Sequence, residues 1–370
     1  MIRYLIPDLP TADDLLPFLR EIDQNRQYTN FGPLWSRFQA AMQARFFPEL
    51  PTEAVVPVSN GTVAIEVILR ALRIRPGARV LMPCFTFPAT ATAIISANAQ
   101  PLLADIDPST WRLTPAIARD VLRHYRFDAV VPVAVLGTSV ESEEWQKFTR
   151  ETGIPVIVDA APALGNQTVV DGVYYAFSLH ATKPFGFGEG GLVVANDVEF
   201  CNRVRSISNF GFSKALVTQD LGTNAKLSEF HCAAGLAQLA RYDLLRERRQ
   251  QVYQLYKEAF SRHIGFRHQT VDDKQLPANL YLHLGDADAG QVRQQLMEQG
   301  VESRRLYWPP LHEQPGLRNS IVSLPKGYTF GDWLGQGGLA IPFHHFLTPQ
   351  EVDQVLETLV RVVKADGIQY

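Results

Sequence analysis

From about residue 55 to residue 196, short apolar runs alternate with segments whose apolar positions recur every three or four residues. The runs "RVLMP", "QPLLADID", "DAVVPVAVLG", "PVIVDAA", "YYAFSL" and "GLVVAN" predict strands. Between several of them, "TVAIEVILRALR", "ATATAIISAN", "TPAIARDVLRHY" and "SEEWQKFTRETG" predict helices. This alternation predicts an α/β fold with a mostly parallel sheet flanked by helices. In open sheets of that kind ligands bind beyond the carboxyl ends of the strands, so polar residues at strand ends become the candidates for chemistry.

From Ser228 to about Phe260 the pattern is helical, interrupted only by Gly235, and predicts a long helix that carries the chain away from the sheet. Beyond it come strand-like "ANLYLHL", helix-like "AGQVRQQLMEQG", the proline-rich "YWPPLHEQPG" and a closing helix "TPQEVDQVLETLVRVV". The expected division is a large domain over residues 1–245 and a smaller C-terminal α+β domain over residues 246–370. Internal repeats and low-complexity tracts are absent from the sequence.

Composition narrows the field. A chain of 370 residues, 46% hydrophobic, can bury a large core. A formal net charge of −3 and no basic stripe interleaved with aromatics argue against a nucleic-acid partner. The three cysteines, Cys84, Cys201 and Cys232, are far apart and odd in number, so neither a disulfide framework nor a thiolate metal site is suggested. Proline and aspartate within the first ten residues leave no apolar signal-peptide region, no run reaches membrane-spanning length, and a cytoplasmic protein is expected.

Three strand ends carry polar groups. After "AVVPV" comes "SNGT", Ser59 to Thr62, leading directly into a helical pattern. Ser, Asn and Thr suit ordinary helix capping, and with Gly61 they also suit an anion site at a helix N-terminus. Asp159 ends the apolar "PVIVD", where a carboxylate needs a cation, a metal or a capping role. Its surroundings show no second carboxylate or histidine cluster, so metal is poorly supported. Ser178 and His180 end "YYAFSLH", and Lys183 follows before the glycines of "PFGFGEGG". Lys183 fits a surface charge, a phosphate grip or a covalent role, although the spacing of a P-loop is absent.

An anion cradle, a carboxylate and a lysine along one sheet edge are the set that pyridoxal phosphate requires. Helix N–H groups and hydroxyls take the phosphate, the carboxylate holds the ring nitrogen protonated, and the lysine bonds to the aldehyde.

The chain resembles the DegT/DnrJ/EryC1/StrS family of pyridoxal-phosphate sugar aminotransferases along most of its length. The resemblance rests on "YTNFGP", "SNGTVAIEVILRAL", "PCFTFPATATAI", "PLLADIDPSTW", "PVIVDAAPALG", "FSLHATKPFGFGEGGLVVAND", "GTNAKLSEFHCAAGLAQL" and "YWPPLH", in that order. It implies a type I aminotransferase fold and a homodimer with active sites at the subunit interface. Lys183 would be the cofactor lysine and Asp159 the partner of the pyridine nitrogen. Gly61, Thr62 and Ser178 would hold the phosphate, with Asn60 also among the cofactor-binding residues, Phe87 would stack on the ring, and Asn224 would reach the other subunit's phosphate. His180, Lys226, Tyr307 and His312 would lie on the substrate side.

The chain departs from that family at several points. Pro162 stands three residues after the aspartate, where the family often has a polar residue near the cofactor's phenolic oxygen. Lys226 stands where the family usually has Arg, replacing a planar fork by a point charge. The segment "VLGTSVES" also lacks the family's usual loop. The resemblance implies transfer of an amino group from L-glutamate to a nucleotide-linked 3- or 4-keto-6-deoxyhexose, in the biosynthesis of an amino sugar for a surface polysaccharide or natural product. The alternatives are a cyclic ketone without a nucleotide, a dehydratase of the same family, and a non-catalytic relative. Family dehydratases carry His at the position of Lys183, which argues against that role.

Overall fold

The computed structural model describes residues 1–213, 215–260, 266–272 and 274–365. Two N-terminal helices, α1 (Ala12–Asn25) and α2 (Pro33–Phe46), precede β1 (Val55–Val58), α3 (Gly61–Ala71), β2 (Arg79–Pro83) and α4 (Pro88–Ser96). Next come β3 (Gln100–Ala104), α5 (Pro115–His124), β4 (Ala129–Val130), α6 (Ser142–Thr152), β5 (Val156–Asp159), β6 (Val173–Ser178), β7 (Gly191–Val194) and α7 (Val198–Ile207). The 32-residue α8 (Glu229–Phe260) leads to β8 (Arg267–His268), β9 (Leu280–His283), α9 (Ala289–Glu298), α10 (Thr329–Gly337), β10 (Gly338–Ile341) and α11 (Pro349–Ala365).

The larger sheet has seven strands in the order β1-β7-β6-β5-β4-β2-β3. Its members are parallel except β7, which runs antiparallel to both β1 and β6. The strands β1, β2, β5 and β6 therefore end at one edge, and the three polar strand ends of the sequence meet there. Their nearly continuous apolar composition follows from burial on both faces, as the all-buried β1, β5 and β7 show. The helix α3 packs on β6 and β7, while α5 and α6 pack on each other and on β3, β5 and β6.

A second core joins Ile2 to Val252 and Tyr256 of α8, to the small sheet β10-β9-β8, and to α9 and α11. Among the described residues no helix is long and apolar enough to cross a membrane.

Two local departures from the sequence pattern have physical causes. The run "DAVVPVAVLG" gives only two residues of regular strand, because Pro132 has no N–H to donate and Leu136 adopts a left-handed φ of 60°. The backbone nevertheless continues alongside β5, with Asp159 N donating to Pro132 O at 2.9 Å and Ala134 N to Asp159 O at 2.9 Å. Gly235 does not interrupt α8; a methyl there would come within 2.6 Å of the Phe38 ring, so glycine lets α2 approach.

Candidate active site

The first turn of α3 is built to receive an anion. Asn60 caps the helix by accepting the Val63 N–H at 2.9 Å. Among the described residues no hydrogen bond takes the N–H groups of Gly61 and Thr62, as the geometry of a helix start allows. A methyl on Gly61 would lie 2.7 Å from Ser178 Cβ and 3.3 Å from its Oγ, so the end of β6 abuts the helix start. The Ser178 hydroxyl and the two free N–H groups thus converge where the helix dipole favours negative charge. Asn60 serves helix capping here, and the free N–H groups and Ser178 leave room for an anion.

Asp159 ends β5 and is only 5% exposed. Its Oδ2 accepts from Thr90 Oγ1 at 2.7 Å and its Oδ1 from Ala161 N at 3.1 Å. Thr90 lies in the first turn of α4 and is itself 3.0 Å from Thr86 Oγ1. Burial pushes the carboxyl's pKa up, against those hydrogen bonds and the charge of Lys183, which pull it down. Such a group gains by meeting a cation.

Lys183 is half-buried and held by a tight turn, in which its N–H donates to His180 O at 2.9 Å. A methyl at Gly186 would lie 2.2 Å from that same carbonyl oxygen, so only glycine closes the turn. Desolvation lowers the lysine's pKa, opposed by Asp159. The two groups feel each other's charge, which a solvated surface lysine would not do.

The remaining residues predicted from sequence divide into groups. Phe87 is 63% exposed at the N-cap of α4, open for a planar ligand. Tyr307 has φ 59° and packs edge-on against Phe85 at 4.9 Å. Burial raises its pKa, and Tyr4 and Asp159 add to the shift, which places its hydroxyl within the field of the carboxylate.

His180 is partly exposed, bonded through Nδ1 to Thr182 Oγ1 at 2.8 Å. His312 is grouped instead with Asp332, 3.6 Å away, and the Tyr328 ring. Lys226 donates to Asn209 Oδ1 at 2.8 Å and lies over the Phe210 ring. Asn224 is exposed, and its neighbour Ala225 accepts from Ser59 N at 2.8 Å, so this segment runs beside the start of α3.

The sequence pattern of the DegT/DnrJ/EryC1/StrS aminotransferase family matches residues 11–360. The chain belongs to that family. It is thereby a pyridoxal-phosphate-dependent aminotransferase with the α/β fold of those enzymes. The protein Rv3402c of Mycobacterium tuberculosis is 31% identical over 374 residues, which cover 96% of this chain and 88% of that protein. The dTDP-4-amino-4,6-dideoxy-D-glucose transaminase of Shigella dysenteriae is 26% identical, covering 95% of this chain and 96% of its own. A solved Bacillus cereus structure, described as a PLP-dependent aminotransferase, superposes with a TM-score of 0.89 at 29% identity, covering 97% and 99% of the two chains.

The residues of this DegT/DnrJ/EryC1/StrS member suit the cofactor on their own geometry. The helix start at Gly61 with the Ser178 hydroxyl beside it suits a phosphate, and Asp159 is a buried acceptor that suits a protonated ring nitrogen. Sequence reasoning missed Thr90, which fixes one carboxylate oxygen, and Tyr4, which packs in the hydrophobic cluster that Tyr307 borders. The threonine alternation of "TFPATAT" is the only local trace of the first; the second has none.

Proposed function

We propose that the chain moves an amino group from L-glutamate to a nucleotide-linked keto sugar, a 3- or 4-keto-6-deoxyhexose, in amino-sugar biosynthesis. The observation that carries the chemistry is the buried Asp159 in the field of Lys183, beside the Gly61–Ser178 cradle. Likeness along 95% of the chain to a dTDP-sugar transaminase supports the sugar class.

When bound, the cofactor supplies an aldehyde and an electron-withdrawing ring that makes the proton on the amine-bearing carbon removable. Asp159 holds the ring nitrogen's proton, with Thr90 and Ala161 N keeping the carboxylate aimed. Gly61, Thr62 and Ser178 anchor the phosphate, and Phe87 covers one face of the ring. Lys183 would hold the aldehyde carbon covalently, and its Nζ would be the base that takes the proton from the donor's α-carbon. Desolvation lowers its pKa below that of an exposed lysine, opposed by the charge of Asp159. Donor and acceptor occupy the same site in turn, so kinetics are ping-pong.

His180, Lys226, Tyr307 and His312 serve on the substrate side in this reading. A second copy of the chain brings its Asn224 to the phosphate. Leu216 and Leu221, 75% and 76% exposed on the same connection, support an interface there. Three buried, unpaired cysteines agree with the cytoplasm as the place of action.

The test is a panel of dTDP- and UDP-linked keto sugars incubated with nitrogen-labelled L-glutamate, read by product mass. Label retained as an amine on one nucleotide sugar is expected. Loss of a hydroxyl without amine, or amination of a free cyclic ketone only, contradicts the reading.

A further inference from the structure

The substitution pattern of pyridoxal fixes which side of the site each group of the ring faces. The ring nitrogen and the aldehyde carbon lie opposite each other, and the phosphate arm and phenolic oxygen flank that line on opposite sides. With Asp159 and Lys183 at its two ends and the phosphate on the side of β6 and α3, the phenolic oxygen faces the side of β4. Its partner must therefore come from that side, a conclusion that rests on the proposed seating of the cofactor.

On the β4 side the nearest turn after Asp159 offers Pro162, which has no N–H, and the backbone of Leu136 and Gly137. Residues 276–279 are tied directly onto this turn. Leu136 O accepts from Ala278 N at 2.7 Å and from Asn279 N at 3.3 Å. A methyl at Gly137 would be 2.6 Å from Ala278 N and 3.0 Å from Pro162 O, so the three segments are in contact. Asn166 binds them together, its Nδ2 donating to Gly137 O at 2.7 Å and Leu276 O at 2.8 Å.

Both N–H groups of Asn166 are thereby engaged, and Thr138 donates to Val135 O at 3.2 Å. Asn279 is different. It is half-buried, and its Oδ1 accepts from Tyr4 Oη at 2.5 Å. Its Nδ2 makes no hydrogen bond among the described residues. Tyr4 is buried and anchored through its N–H to Glu302 Oε2 at 3.0 Å, which holds its hydroxyl against the carboxamide. Tyr4 packs in the same hydrophobic cluster as Leu136 and Val158, the residue before Asp159, and Tyr307 packs against that cluster.

We propose that Asn279, oriented by Tyr4, donates its Nδ2–H to the phenolic oxygen of the bound cofactor. Asn279 is then a cofactor-binding residue supplied by the small layer, and Tyr4 a positioning residue supplied by the N-terminal arm. The hydrogen bond that a polar side chain at position 162 would make comes instead from a part of the chain more than a hundred residues away.

The experiment uses the purified holoenzyme and follows the visible absorption of the bound cofactor against pH. The phenolic oxygen carries most negative charge after the chromophore has lost its proton, so a donor there favours the deprotonated form. Removing the donor raises the midpoint. Asn279→Ala is expected to raise it by about one pH unit, the worth of one hydrogen bond to a charged acceptor. Tyr4→Phe, which keeps the amide but frees it to turn, is expected to raise it by less, and it carries the test if Asn279→Ala does not fold. An unmoved midpoint in a yellow variant overturns the inference, as does a rise confined to Tyr307→Phe. A wild-type protein with no visible band overturns the cofactor's placement as well, which keeps the two failures distinct.

Discussion

Gly61 shows how little room a single residue leaves. Its missing side chain admits the Ser178 side chain to the first turn of α3, where the proposed phosphate would bind, and a methyl there would sit 2.7 Å from Ser178 Cβ. Gly61→Ala is therefore expected to weaken cofactor binding by roughly tenfold or more, from an overpacking cost of about 1–3 kcal/mol. Titrating the apoprotein with pyridoxal phosphate measures it; affinity equal to wild type would mean that the phosphate lies elsewhere. The candidates Gly61, Asp159, Ser178 and Lys183 were readable because each closes or follows an apolar run, where strand direction alone brings them to one edge. Thr90, Tyr4 and Asn279 were not, because each reaches the site through tertiary contacts that leave no periodicity in the sequence.

Among elements, the junction of α2 and α8 is the most demanding. Glu229, 1% exposed at the start of α8, accepts from Leu34 N at 2.8 Å and Trp35 N at 2.9 Å, and so caps α2 from another helix. Glu229→Ala leaves two buried donors without a partner beside a helix dipole, and a loss of about 2–3 kcal/mol is expected. Chemical denaturation reads it, and a change under half of that would show that water replaces the carboxylate. The long α8 was legible because its length leaves no other reading of the pattern. The strand at β4 was legible too, though it is shorter than its apolar run, whereas β8 and β10 were not, since two to four residues carry too little pattern.

At the scale of the whole molecule the two hydrophobic cores are joined by more than α8. Leu103 N donates to Val322 O at 3.0 Å and Val322 N to Pro101 O at 2.8 Å, so the connection between α9 and α10 adds itself to the edge of β3. Asp105, just past β3, accepts from Phe330 N at 3.0 Å and Gly331 N at 2.8 Å and caps α10. In the other direction the N-terminal arm pairs with the small layer, Ile2 N donating to Gly300 O at 2.7 Å. The site at the sheet edge is thus walled by chain from both ends of the sequence. The alternation of strands and helices predicted the sheet but not these crossings, which depend on shape rather than on period.

The proposed chemistry at that edge has Lys183 and Asp159 working together on one cofactor. Mixing the purified holoenzyme with L-glutamate, without acceptor, and recording the visible spectrum alongside released 2-oxoglutarate tests that claim. The visible band should disappear with one equivalent of 2-oxoglutarate per site, and neither change should occur in Lys183→Ala. A band that persists with glutamate, or a Lys183→Ala protein that still turns over, would contradict it.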